Sequence, residues 1–295
     1  MNKDILKKIR HIDIRLRRKV NDLFSGSYRS AFKGQGMVFS DFREYVHGDD
    51  VRAISWNLMA RMGHPYIKTF EEEREARIIL VVDVSRSFEF GSGDQSKGDA
   101  LSLLTGLLAF CAQKNKDPVG LLLFAEDVGM YLPPKKGIHQ AFRIVREVCR
   151  PKKSLYTDIN PTLSFLQGVL KKRSYVFILS DFLFSKPWES SLRQLAKRHN
   201  VVNVAISDPL EKEFPPLGLV DVMDLESGKV KTLSTSSLFF QRDYKKALQA
   251  RIKARDKALL KSGAELISID TGKDIYAPFI QFFNRRAGAR SFKSS

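Results

Sequence analysis

From Arg77 onward the 295-residue sequence alternates short apolar runs with segments whose apolar residues recur every three or four positions. A run that is apolar at every position has no face to turn to water. Strands of this kind must be covered on both sides by helices, the arrangement of a mostly parallel α/β sheet. The run at 78–82 reads as a buried strand, those at 119–125, 175–180, 201–206 and 266–269 read as further strands, and 128–132 reads as an antiparallel edge strand beside the second of the five. Helical spacing predicts helices over 97–113, 138–149, 160–172, 188–199, 239–261 and 274–286, the first with Ala100, Leu101, Leu104, Leu107, Leu108 and Cys111 on one face. The expected fold is a doubly wound, six-stranded, mostly parallel sheet over 77–286. A β-hairpin is inserted at about 209–235, where Glu226-Ser227-Gly228 separates two extended runs.

The rest of the chain differs in kind. Residues 1–76 form an extension whose first part, 5–24, spaces Ile5, Ile9, Ile12, Leu16, Val20 and Leu23 as one stripe of a basic amphipathic helix. That stripe can dock on the protein's own body or on a membrane or partner. A second basic segment, 287–295, closes the chain. Lys and Arg number 50 against 33 Asp and Glu, a net charge of +17. Such a field favours polyanions, anionic surfaces or acidic proteins without choosing among them. Cys111 and Cys149 lie in helical patterns rather than a spaced framework, which excludes a disulfide scaffold or thiolate metal site. No stretch reads as a signal peptide or a membrane span, so a soluble cytoplasmic protein is expected.

The segment with the most chemistry is Leu80-Val81-Val82-Asp83-Val84-Ser85-Arg86-Ser87, an apolar strand running into Asp-x-Ser-x-Ser. Ligands of open parallel sheets gather at the carboxyl ends of the strands. Asp181 ends another apolar strand, and Thr157 lies in the loop before the 160–172 helix. Asp-x-Ser-x-Ser alone also serves as a turn or helix cap. Joined by a second strand-end acid and a third hydroxyl, it becomes an all-oxygen set suited to Mg²⁺, with Mn²⁺ or Ca²⁺ as alternatives. Two carboxylates leave such an ion electrophilic, with a position open to an acidic side chain of a partner.

These residues resemble the metal-ion-dependent adhesion site of the von Willebrand factor A fold, in which Asp-x-Ser-x-Ser, a Thr and a strand-end Asp follow in the order Asp83, Ser85, Ser87, Thr157 and Asp181. The resemblance implies strand order 3-2-1-4-5-6. The chain departs from that pattern in having Ser154-Leu155-Tyr156 where a Gly pair often precedes the Thr, and in its bulky Phe88. Upstream, Tyr45-Val46-His47-Gly48-Asp49-Asp50-Val51-Arg52-Ala53-Ile54-Ser55-Trp56 and Tyr66-Ile67-Lys68-Thr69-Phe70-Glu71-Glu72 are similar to the signature of DUF58 proteins, with Ser55 where that family usually has Asp. This second resemblance implies partnership with a MoxR-type AAA+ ATPase, in chaperone-like maturation or stress functions. Read as residues alone, Gly48-Asp49-Asp50 is a turn with Asp50 as a cap, Arg52 and Arg61 face the acids at 71–73, and Trp56 is expected to anchor a local core.

Rival chemistries lack parts. An aspartyl-phosphate hydrolase needs an acid two residues after the nucleophile, and Ser85 stands there. In Ser92-Gly93-Asp94-Gln95-Ser96-Lys97-Gly98 the order of a phosphate loop is broken, because Gly98 follows Lys97. The histidines His11, His47, His64, His139 and His199 have no metal-ligand spacing. The expectation is a non-enzymatic, metal-dependent adaptor. Its rival is a nucleic-acid binder using the eight basic residues of 239–261 and the basic termini.

Overall fold

The computed structural model describes residues 28, 31, 37–72, 76–89, 91, 95–150, 157–211, 216–223 and 230–291. The expected helix over 5–24 and the end of the chain past 291 lie outside them. The chain divides into two compact units, one of Phe32–Ala76 and one built on Arg77–Ser295 that also takes in Tyr28 and Ala31.

In the smaller unit β1 (Met37–Glu44) pairs antiparallel with β2 (Tyr66–Glu72). Charged residues interrupt any alternation along this stretch, so the local pattern predicts no strand in it. Its pairing comes from contacts across the intervening chain, which local pattern does not encode. Gly48 takes φ +110°, a left-handed conformation that glycine adopts without steric cost. The Asp49 carboxylate then accepts from the Arg43 guanidinium at 2.7 and 2.8 Å and from the Val46 N–H at 2.9 Å. Asp50 accepts the Arg52 N–H and so caps the 3-10 turn Val51–Ala53. Helix α1 (Trp56–Met62) follows and stops at Gly63. Trp56 is no core anchor: it is 65% exposed, because two strands and one seven-residue helix enclose no interior that could take an indole.

The larger unit contains β3 (Ile78–Asp83), helix α2 (Lys97–Lys114), β4 (Val119–Phe124), β5 (Val128–Lys135), α3 (Ile138–Val148), α4 (Asn160–Val169), β6 (Tyr175–Ser180), α5 (Glu189–Arg198) and β7 (Asn200–Ser207). It continues with the hairpin strands β8 (Leu219–Met223) and β9 (Val230–Ser234), then α6 (Leu238–Lys261), β10 (Glu265–Asp270) and α7 (Ala277–Ser291). The sheet runs β10-β7-β6-β3-β4-β5. Every neighbouring pair is parallel except β4 and β5. Renumbered within this sheet, that is the expected order 3-2-1-4-5-6. Helix α7 continues past the expected 286 to Ser291.

Every residue of β3, β4 and β6 is buried, as their unbroken apolar runs require. On one face Ile79, Val81, Val176 and Ile178 pack with Leu163 and Leu166 of α4 and Leu192 and Leu195 of α5. Helix α2 packs against β3, β7 and α3 and is buried at every position from Ala100 to Ala112, not along one stripe. A helix that is apolar on all sides belongs inside. Among the described residues no helix is long and apolar enough to cross a membrane.

Truncating the centre of the sheet should therefore cost far more than truncating the surface. Ile178→Ala should destabilise the chain by about 2–5 kcal/mol in urea unfolding, through lost transfer energy and the cavity left behind. Val169→Ala, at a 40% exposed position at the end of α4, should stay within about 0.5 kcal/mol. Equal losses would contradict the burial of β6.

Candidate metal centre at the carboxyl edge of the sheet

Three adjacent parallel strands release acids at the same edge: β3 ends in Asp83, β6 is followed by Asp181 and β7 by Asp208. All three are buried. The parallel register of β3 and β6, with Val82 opposite Leu179, brings the next residue of β6 level with Asp83. The Ser180 hydroxyl accordingly donates to Asp83 Oδ2 at 2.7 Å, while Asp83 Oδ1 accepts the Ser85 N–H at 3.0 Å. That second bond folds Asp-x-Ser-x-Ser back over the strand end and leaves the Ser85 and Ser87 hydroxyl oxygens 3.0 Å apart.

Asp181 is fixed as firmly. Its Oδ1 accepts the Leu183 N–H at 3.1 Å, and its backbone carbonyl accepts the Arg255 guanidinium from α6 at 3.0 Å. Between them Phe182 is forced to φ +56°, with its N–H bonded to the Ser180 hydroxyl at 3.0 Å. A bulky residue in left-handed backbone is a local strain of the kind that marks functional turns.

The charges at this edge are unequal. Burial raises the Asp83 carboxyl from its ordinary 3.8 to about 7, helped by the neighbouring charge of Asp181. Its hydrogen-bond partners, a backbone amide and hydroxyls, are neutral and only partly offset this. Asp181 instead has a cation. The Lys97 ammonium, at the first position of α2 and 1% exposed, lies 3.2 Å from Asp181 Oδ2 and 2.5 Å from Glu211 Oε1. Burial works to lower the Lys97 pKa, but the charges of Asp181 and Glu211 overcome it and raise it above its usual value. Glu211 sits in the 3-10 turn Pro209–Glu211 after β7, and its other oxygen accepts the Asp208 N–H at 3.1 Å.

The start of α2 is built for this reach. Ser96 and Asp99 form a reciprocal capping box. A Cβ on Gly98 would come 2.8 Å from the Phe88 carbonyl oxygen, so only glycine lets the turn after Asp-x-Ser-x-Ser lie against the helix. The Lys97 ammonium then sits 5.4 Å from the centre of the Phe88 ring. The bulky Phe88 that departs from the adhesion-site pattern thus lines the lysine.

Of the five residues singled out from sequence, Asp83, Ser85, Ser87 and Asp181 meet at one rim. Thr157 is half-buried and reaches the same edge of the sheet, since the N–H of the next residue, Asp158, donates to the Ala125 carbonyl just past β4 at 2.8 Å. Among the described residues Thr157 makes no hydrogen bond to the other four. Among those residues, too, no three His, Cys, Asp or Glu side chains form a metal-binding group, so a metal here depends on hydroxyl oxygens joining the carboxylates. The donor set fits a hard divalent ion. It offers carboxylate and hydroxyl oxygens only, and it includes a buried acid, Asp83, whose contacts supply no positive charge. Sequence reasoning missed Lys97, Glu211, Ser180 and Arg255. Asp208 carried a usable signal, an apolar run ending in Asp like the two that were found. Lys97 carried none, because its partners are distant in sequence.

The protein-family model described as "Protein of unknown function DUF58" matches residues 41–254. An uncharacterized protein of Mycobacterium tuberculosis is 27% identical over 285 residues, covering 95% of this chain and 90% of that one. Among solved structures, the conserved hypothetical protein BatB of Bacteroides thetaiotaomicron matches with a TM-score of 0.51 at 16% identity, over 72% of this chain and 99% of that one. An aerotolerance-related membrane protein of Bacteroides fragilis gives a TM-score of 0.50 at 15% identity, over 72% of this chain and 99% of that one. The likeness to both is one of fold.

The raised Asp83 pKa has a stability consequence. The native carboxyl keeps its proton to higher pH than the unfolded one, so from about pH 4 to about pH 7 the native state binds more protons and stability falls as pH rises. Asp83→Asn removes that contribution. In EDTA, urea unfolding should show the variant gaining on the wild type steadily across this window; a difference that does not change with pH would refute the assignment.

Proposed function

The chain belongs to the DUF58 family, and from the site at its sheet edge we propose that it is a non-enzymatic, metal-dependent protein-interaction module that acts as adaptor or co-chaperone partner of a MoxR-type AAA+ ATPase. The observation that carries this reading is that Asp83, Ser85 and Ser87 stand at one strand end, with Asp181 following the neighbouring strand close enough for its charge to act on Asp83, which is buried against neutral partners. Asp83 and Asp181 would supply charge to Mg²⁺, the two serines neutral oxygen, and Thr157 a further oxygen from the loop entering α4. Bound there, the ion supplies a Lewis-acidic position for a carboxylate of the partner.

The chain's own residues do the rest. Ser180 and the Ser85 amide hold the Asp83 carboxylate in one orientation, and Arg255 holds the Asp181 backbone. The Ser180 hydroxyl, fully buried, donates its hydrogen bond to Asp83, so it holds that carboxylate rather than meeting a substrate, which favours binding over turnover. Helix α6 links the rim to the charge of the surface. Its Arg255 turns inward to Asp181, while Arg242, Lys245, Lys246, Arg251, Lys253, Lys257 and Lys261 are exposed. An acidic partner is attracted by that field and meets the rim at its inner end. The same face is what a nucleic-acid binder would use.

Capture separates the two. Immobilised protein should retain a MoxR-type ATPase in Mg²⁺ and lose it in EDTA, and Asp83→Ala should abolish retention with the circular dichroism unchanged. Retention that survives both EDTA and Asp83→Ala would remove the metal-dependent mechanism. Steeply salt-dependent capture of DNA, indifferent to Asp83 and lost on Lys253→Glu with Lys257→Glu, would establish the nucleic-acid reading instead.

A further inference from the structure

A lysine in the first turn of a helix is opposed by the helix dipole, and a buried ammonium is costly unless it is paired. Lys97 accepts both penalties at the first position of α2, 1% exposed, with its ammonium on Asp181 and Glu211. The capping box at Ser96 and Asp99, the close approach at Gly98 and the Phe88 ring all fix where its stem leaves the helix. Glu211 is held in turn by the Asp208 amide. The lysine is therefore built into the same rim as the candidate ligands, on one of the two carboxylates a divalent ion needs.

We propose that Lys97 is the resident counter-cation of this site and sets its affinity for divalent metal by competing for Asp181, with Glu211 as the acceptor that keeps the ammonium when Asp181 is released. This rests on the metal-dependent reading above. Both cations need the same carboxylate, so each lowers the other's occupancy of it. Glu211, bonded to the ammonium but further from Asp83 in the chain of contacts, gives the displaced charge a partner inside the protein. Without that partner the ammonium would have to stay on Asp181 or find water.

Mn²⁺ titration of the purified full chain, followed by the electron paramagnetic resonance of the free ion, tests this with wild type, Lys97→Met, Glu211→Gln, the double variant and Asp83→Ala as the site control. Lys97→Met should tighten Mn²⁺ binding by about tenfold or more, since a unit charge a few ångströms from the ligand is withdrawn. Glu211→Gln should weaken binding more in the wild-type background than when Lys97 is already Met, the coupling that distinguishes action through the lysine from a general field. Tight binding by Lys97→Met where the wild type binds nothing measurable would also support the proposal. Asp83-dependent binding that is equal in wild type and Lys97→Met overturns the role of Lys97 and leaves the metal site standing. A Glu211→Gln effect of the same size with Lys97 and with Met at that position overturns the role of Glu211. Absence of Asp83-dependent binding in every variant overturns both the proposal and the metal reading. If Lys97→Met does not fold, Lys97→Gln removes the same charge with a polar side chain and takes its place.

Discussion

The parallel pairing of β3 with β6 fixes the geometry of the acidic rim. The two strands are far apart in sequence, and their register places Val82 beside Leu179. One residue further on, the Asp83 carboxylate and the Ser180 hydroxyl are in bonding range. A parallel pairing puts both carboxyl ends at one edge, so whatever polar residues end the apolar runs are collected there. Had β6 run antiparallel, Asp181 would leave from the opposite edge.

Collecting acids at a buried edge creates an electrostatic debt that the fold settles in two ways. Asp181 is met by an ammonium and its carbonyl by a guanidinium, whereas Asp83 is met by neutral donors and keeps its proton up to about pH 7. Cations from two different helices, Lys97 of α2 and Arg255 of α6, converge on one residue. Truncating one member of such a group strands the charge of another, which makes these positions sensitive beyond their contribution to packing. The proposed role of the site uses the same imbalance, since an acid with neutral partners is where an external cation gains most.

Much of this is legible in the amino-acid sequence. The apolar runs of β3, β4, β6 and β7 read as buried strands because they are short, rich in Val, Ile, Leu and Phe, and bounded by polar loops. Asp83, Ser85 and Ser87 were legible because Asp-x-Ser-x-Ser sits at a strand end, and Asp181 because it does too. Trp56 is exposed against the expectation from its residue type, which speaks for burial only when the surrounding unit is large enough to provide it. The β1 and β2 pair lacks the alternation that would reveal it, and α2, whose spacing marks one apolar face, is buried all round from Ala100 to Ala112.

Local sequence suffices for the elements of the larger unit, their layering and the acids that end the strands, because those depend on the periodicity of neighbouring residues and on chain stiffness over a few positions. The tertiary structure decided which cation sits among the acids. Lys97 and Asp181 are bonded across a separation of 84 residues, and Lys97 and Glu211 across 114. A charge at the head of a helix looks solvated in sequence, and only the packing of α2 against the sheet and the placement of Glu211 after β7 turn it inward.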